Sequence, residues 1–509
     1  MKHFKKYYPA IIAALFTVNT GYAGEKDYSY HYLYENLPFE MPQVEKPVFP
    51  DRSAKLTEYG GIPDGVTLNT DAFAKAINAL SEKGGGTLIV PSGIWHTGPI
   101  ALKSNIRLHL ERGALILFTA DRDAYPVIET SFEGQSTRKA QSPISGRNLE
   151  NIAITGEGAI NGSGETWRPL KKAKVSDGHW QQVINSGGVL KDPGYWVPSE
   201  SAEFMRPVMI SFIECKNILL QGVLFENSPA WNIHPLMCEN LIIDGIFVRN
   251  PSYAQNGDGL DIESCKNVIV VNTTLDVGDD AICLKSGKDE QGRKRGKPTE
   301  NVIVDNCRVF KGHGGFVVGS EMSGGVKNIS VSNCQFMGTD VGLRFKSARG
   351  RGGVVENIFI NNINMFNIVN EPLLFDLYYF TRKTDEIPVA DETTPVFKDI
   401  YIKDIVSRNS NKAMFFNGLP EMNITNINVE NAFITSKFGA ELSEAENIKL
   451  KNVTVAPDEG AALILNNIKN AVFDHFSAPD SLKTIVKITG NRNSNIRLPG
   501  NIDKKKIIL

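Results

Sequence analysis

The body of this sequence lacks any long hydrophobic run. After residue 23 no stretch approaches the ~18 consecutive apolar residues that a membrane-spanning helix needs. It also lacks an excess of one charge. Lys and Arg number 55 against 57 Asp and Glu, a net charge of −2, so no global field draws the chain to nucleic acid or to an anionic membrane. Cysteine is scarce, six in 509 residues, and its placement argues against a disulfide framework. Cys215, Cys238 and Cys265 each stand two residues before a repeated Asn, and Cys307 and Cys334 each stand six after one. Equivalent positions on successive repeats predict a ladder of buried free thiols. A 3.6-residue helical period and a regular leucine framework are also missing from most of the chain.

What is present starts at the N-terminus. Lys2, Lys5 and Lys6 precede a short apolar stretch, Ala10 to Val18, and Gly21-Tyr22-Ala23 is a small-x-small sequence ahead of Gly24. This pattern predicts a signal peptide over 1–23, cleaved after Ala23, and hence a periplasmic or secreted protein. Residues 24–50 then form an N-terminal extension, and 51–509 form one elongated domain. A 41% hydrophobic composition is ample for its core.

One phrase recurs through that domain: Asn or Asp, a β-branched residue or Leu, then alternation. It stands at Asn105, Asn151, Asn217, Asn240, Asn267, Asn301, Asn328, Asn357, Asp399, Asn423 and Asn447. A period of about 25 residues means a solenoid. The units are short, alternating and β-branched, which makes them strands. Coils of three short strands stacked ~4.8 Å apart give an all-β fold, a right-handed single-stranded parallel β-helix. Its open ends need covers. Thr70, read as an N-cap, followed by an amphipathic run to Leu80 and then Gly84-Gly85-Gly86, predicts a capping helix at the N-terminal end. Residues 162–207 break the period, hold Trp167, Trp180, Tyr195 and Trp196, and read as a long loop over one face.

Four segments ending in Ser can be laid over one another: 258–264, 280–286, 314–320 and 341–347. Leu260, Ile282, Phe316 and Leu343 make one apolar column, and Ile262, Leu284, Val318 and Phe345 another. Both must point inward. Strand alternation then turns Asp261, Glu263, Lys285, Arg344 and Lys346 outward. At the mouth of the same strands, Asp258 falls one coil from Asp280, and Asp279 one coil from His313. Any one of these reads as a surface charge. Together they do not, because like charges stacked in register repel. Glycoside hydrolysis supplies a reason: it needs an acid and a base, about 6.5–9.5 Å apart in an inverting enzyme. Crowded carboxylates raise one another's pKa and keep one protonated, and His313 could tune that proton. Arg344 by a fork and Lys346 as a point charge suit an anionic sugar, and Lys285 is the third cation of these columns.

Asn256-Gly257-Asp258, Gly278-Asp279-Asp280, Gly312-His313-Gly314 and Arg344-Phe345-Lys346, in that order and about one coil apart, resemble the four signatures of the polygalacturonases, family 28 of the glycoside hydrolases. The similarity covers most of the chain, including Asp64-Gly65-Val66 through Pro91-Ser92-Gly93 and Ser228 through Pro235. The resemblance implies single displacement with inversion on a pectic polysaccharide or oligogalacturonide; no cofactor and no metal are expected, and solenoids of this kind are usually monomers. It implies Asp279 as general acid, Asp258 and Asp280 as the pair that activates water, and His313 as support for the acid. Arg344 and Lys346 would hold a galacturonate carboxylate and Asn256 would help shape the site. Either Tyr378 or Tyr379 is similar to the family's substrate-binding tyrosine. His234 either lines a subsite or serves the fold. Two positions depart from the pattern: Gly257 stands where Thr is usual and Phe345 where Ile is usual.

Two other readings remain at this level: a Ca²⁺-dependent pectate lyase using the three aspartates as ligands, and a non-catalytic carbohydrate-binding β-helix. Within the hydrolases, the 162–207 insertion and the similarity to bacterial exo-type members favour exo action. Homogalacturonan and rhamnogalacturonan-derived substrates both stay open.

Overall fold

The repeated Asn marks a corner that most side chains avoid. Asn217, Asn240, Asn267, Asn301, Asn328 and Asn357 all have φ between 55° and 59°, left-handed backbone that Asn tolerates better than other non-glycine residues. Each side-chain amide donates to the amide oxygen of the preceding coil, at 3.0 Å from Asn240 to Asn217 and 3.1 Å from Asn267 to Asn240. The residue after each Asn enters an inward column, Ile218–Leu241–Val268–Val302–Ile329–Ile358, paired in parallel at every step. The fold is a parallel β-helix. The computed structural model describes residues 30–382, 386–500 and 502–509, so the expected signal peptide lies outside the described residues.

One coil was mis-phased by the repeat. Ile400 pairs with Ile427, and the left-handed corner there is Asn426, not Asn423. Two Asn-Ile pairs three residues apart compete in this stretch, and only the second keeps Ile427 in the inward column.

The N-terminal cover is helix α1, Thr70–Glu82, whose Ala72, Phe73, Ala76, Ile77 and Leu80 are buried. Its N-cap is Asn69 rather than Thr70, and the Asn69 amide is spent on the carbonyls of Ile62, Thr67 and His96. Thr70 Oγ1 instead accepts from the Gly98 N–H at 2.7 Å.

The extension is a strap. Tyr30, Leu33 and Val44 are buried against Leu219, Ile242, Ile269 and Ile303, the outward apolar residues of successive coils. The Tyr30 hydroxyl donates to Asp244 at 3.0 Å.

The 162–207 segment differs from the expected loop. It folds into an antiparallel three-stranded sheet (Leu170–Lys171, Tyr195–Val197, Val189–Asp192) and helix α2, Asp177–Asn185. Leu170, Trp180 and Trp196 form a small core of their own. Next to it a hairpin, Val127–Phe132 with Gln135–Ala140, also leaves the helix.

All six thiols are free and buried, and burial pushes those of Cys238, Cys283 and Cys307 well up. Thermal unfolding is therefore expected to be the same with and without a thiol reductant. A midpoint several degrees lower in reductant would reveal a stabilising disulfide.

Candidate active site

Five parallel strands build the wall that matters: β1 Leu260–Glu263, β2 Asp280–Lys285, β3 Gly314–Val318, β4 Leu343–Lys346 and β5 Leu373–Asp376. Their register is the one the apolar columns dictate: Leu260–Ile282–Phe316–Leu343 and Ile262–Leu284–Val318–Phe345. Phe345 is fully buried, its ring stacked on Phe375 at 4.6 Å, so the departure from Ile is a packing change. Gly257 is a requirement of this chain: a Cβ there would lie 2.5 Å from the Cβ of Ala254.

The mouth of these strands brings the three aspartates together. Oxygens of Asp258, Asp279 and Asp280 lie within 4.8 Å of one another. This is closer than the spacing of about 6.5–9.5 Å expected for inversion. The reason is the scaffold: Asp279 and Asp280 are consecutive, and Asp258 sits one rung away. Carboxylate spacing therefore does not decide the stereochemistry on this wall. An oxygen pair so close can share one hydrogen-bonded water, given normal O–H···O distances of about 2.7 Å.

Their environments differ. Asp280 receives Arg344 Nη1 at 3.0 Å and Lys346 Nζ at 2.7 Å. Burial alone would raise its carboxyl; Lys346 and Arg344 outweigh that and hold it below the usual carboxylate range. Asp279 also faces the cost of burial, overcome by the hydrogen bond from His313 (Nδ1–Oδ1 3.2 Å) and by Lys346 and Arg344, and it too is depressed. Asp258 has no such partner. Burial, with Asp261 and Asp279 nearby, raises it well above the ordinary value, and its Oδ1 has no hydrogen-bond donor. Of the trio, Asp258 is thus the one whose proton affinity is raised, while Asp279 and Asp280 are depressed. The hydrogen bond to Asp279 in turn raises His313 against the opposing effect of burial.

The remaining candidates divide. Tyr379 lies under both cations, its ring centre 5.4 Å from the Arg344 guanidinium and 4.8 Å from Lys346 Nζ. Tyr378 is turned to Arg349, which is itself paired with Glu421. Asn256 sits in a left-handed corner (φ 51°) and its Oδ1 accepts from Arg206 of the insertion. His234 is buried, 2.8 Å from Glu263 and edge-on to Trp231, so it serves the fold rather than an open subsite. Lys285 is likewise buried, 3.0 Å from Glu321 and 3.5 Å from Asp261.

Two residues of this neighbourhood carry no role in the sequence reading. Asp261 is fully buried with both carboxylate oxygens lacking hydrogen-bond donors, and burial raises it strongly. Its place in an outward column was the available signal. Glu321 lies in a turn outside the repeat and gave none. As metal ligands the trio is compromised, since both oxygens of Asp280 are already engaged by cations.

Acids within reach of one another, beside two buried cations on the flank of a parallel β-helix, define a protein built for acid–base chemistry on an anionic saccharide. Residues 174–456 match the family model described as Glycosyl hydrolases family 28. A protein of Vitis vinifera named "Probable polygalacturonase" is 32% identical over 75% of this chain and 74% of its own length. The "Exo-poly-alpha-D-galacturonosidase" of Dickeya chrysanthemi is 27% identical over 70% of this chain and 62% of its own. Among solved structures, an exopolygalacturonase from Thermotoga maritima superposes with a TM-score of 0.68 at 31% identity, covering 85% of this chain and 94% of that one. The chain belongs to family 28 of the glycosyl hydrolases. It is a glycoside hydrolase, which removes the lyase and the binding-only readings.

Proposed function

We propose that this hydrolase cleaves α-linked galacturonic acid in pectic galacturonan, removing units from a chain terminus with inversion, after export from the cytoplasm. The observation that carries the substrate is the convergence of Arg344 and Lys346 on Asp280 beside the carboxylate trio. Two cations converging on one carboxylate leave positive charge over for an anionic sugar, which a neutral one would not engage. The names of the relatives in grape, Dickeya and Thermotoga support the same substrate class.

In this reading Asp279 is the general acid. Its depression before substrate binds depends on His313, Lys346 and Arg344. A substrate carboxylate docked on Arg344 and Lys346 draws on their charge and raises the proton affinity of Asp279. Asp258 and Asp280 then hold the attacking water.

Terminal action is supported by what stands over the earlier coils. Phe132 of the hairpin lies 4.9 Å from Trp231, and Ser136 N donates to Gln291 at 3.0 Å. Lys139 of the hairpin donates to the Phe204 carbonyl at 2.5 Å, and Arg206 is held on Asn256. These contacts build up one end of the wall, while later coils leave Leu374 and Phe415 partly open.

End-labelled oligogalacturonides, followed by chromatography and by NMR of the first-formed anomer, test the proposal. The expected products are the terminal unit and a chain shortened by one, with the new anomeric centre β. A spread of internal fragments would overturn terminal action, an α product would overturn inversion, and absence of cleavage would overturn the substrate.

A further inference from the structure

The outward column that contains Arg344 continues past the active site: Arg344 pairs with Leu374, Leu374 with Phe415, and Phe415 with Glu441. At the mouth of the same coils Glu371 stands two residues before Leu373, as Lys412 stands two before Met414, and Lys412 pairs with Phe438 on the next rung. This stretch differs in chemistry from the aspartate–arginine site. Its ammonium, Lys412, is neutralised by Glu441 at 2.7 Å and lies 4.4 Å over the ring of Phe415. Glu371 adds a further acid. Burial raises its carboxyl, Lys412 and Arg344 oppose this, and Asp376 and Glu441 reinforce it. Leu374, Phe415 and Phe438 are all part-exposed along the wall.

A polyuronate running along this wall from Arg344 would bring its next carboxylate to Glu371 and Glu441, where Lys412 is already committed to Glu441 and the next cation, Lys437, lies a rung further on over the ring of Phe438. Like charges at such separations cost affinity even when partly screened. The same surface offers apolar and aromatic faces of the kind that cover the C–H face of a pyranose.

We infer that the sugar unit following the one held by Arg344 and Lys346 is recognised in an uncharged form, as a methyl-esterified galacturonate or a neutral sugar, against Leu374, Phe415 and Phe438. This rests on the reading of the site given under Proposed function. The released terminal unit and the unit held by Arg344 and Lys346 are then both charged, and the third unit is the esterified or neutral one.

The experiment compares kcat/KM for digalacturonate and for three trisaccharides. Their third unit, counted from the released terminus, is a free galacturonate, its methyl ester, or galactose. The ester and the galactose form are each expected to exceed the free acid by at least about threefold, the scale set by one screened like-charge contact. Glu371→Gln should raise the rate on the free acid and narrow that ratio. Phe415→Ala should lower the rate on the two uncharged trisaccharides while leaving digalacturonate, which does not reach this coil, unchanged. An ester preferred over galactose assigns the recognised group to the methyl ester; equal rates on both assign it to the bare pyranose face. A ratio of one or less for the uncharged forms, or a ratio unmoved by Glu371→Gln, overturns the inference while digalacturonate is still cut. Failure to cut digalacturonate strikes at the proposed function itself.

Discussion

Asp279→Asn is expected to reduce kcat by at least about 10³, near the upper part of what one general acid supplies, with a thermal midpoint close to that of the parent. The substitution is nearly isosteric. Asn Oδ1 can still accept from His313 and from the Asp280 N–H, which the aspartate accepts at 3.2 Å and 3.0 Å respectively. What disappears is a proton that can be given to a leaving oxygen. The alternative donor is Asp258, whose carboxyl is raised by burial and its acidic neighbours. The two assignments give different results. If Asp258 is the acid, Asp279→Asn removes one repelling charge from it and leaves turnover within about tenfold of the parent, while Asp258→Asn abolishes it. Steady-state rates of both variants on digalacturonate, with melting curves as a control for folding, decide between them.

Much of this site was legible because a β-helix converts sequence into geometry with few free choices. Once Leu260, Ile282, Phe316 and Leu343 are fixed as inward, alternation leaves Asp261, Arg344 and Lys346 no other face, and the register follows those columns. The Asn corners were legible for a related reason, since a left-handed turn repeated at each coil selects Asn, or Asp as at Asp399. The failures lie where the chain leaves this repeat. The hairpin Val127–Ala140 pairs in an antiparallel sense and alternates polar residues on both faces, so no pattern in the sequence singled it out. The strap over 30–50 has no periodicity, because it answers to the outer faces of other coils and not to its own backbone. Distance was the subtler miss. A separation drawn from glycosidases in general was applied to carboxylates whose spacing is set by one rung and one peptide bond. That crowding raises one carboxyl was legible, but which one was not, since Asp258 and Asp280 share a column and differ only in whether cations from two coils on reach them.

That asymmetry gives the second large effect. Lys346→Ala is expected to lower kcat/KM on oligogalacturonides by about 10–100-fold, the scale of one or two charge-assisted hydrogen bonds, and to act on both kcat and KM. A purely substrate-binding lysine would raise KM alone. Lys346 does more than face solvent: it is buried, 2.7 Å from Asp280 Oδ2, and is the chief charge opposing the burial of that carboxylate. Its loss leaves Asp280 with Arg344 only, on the other oxygen. Asp280 should then move up toward the ordinary carboxylate value and beyond. Because the folded-state value is depressed in the parent, its contribution to stability is present above the unfolded value and is lost as pH falls through the folded one. In Lys346→Ala that loss should set in at higher pH, so acid unfolding begins earlier. The cost at neutral pH is bounded by the ~3–5 kcal/mol of a broken buried pair and reduced by the remaining arginine. Acid titration monitored by circular dichroism reads the stability arm, and initial rates measured from moderately acidic to neutral pH read the catalytic one. An unchanged acid midpoint with a rise in KM alone would mean that Lys346 serves the sugar and not Asp280. Lys346→Arg, which keeps the charge on a longer planar group, should restore the acid midpoint more fully than the rate, because Asp280 needs a cation while the sugar needs that cation in one position.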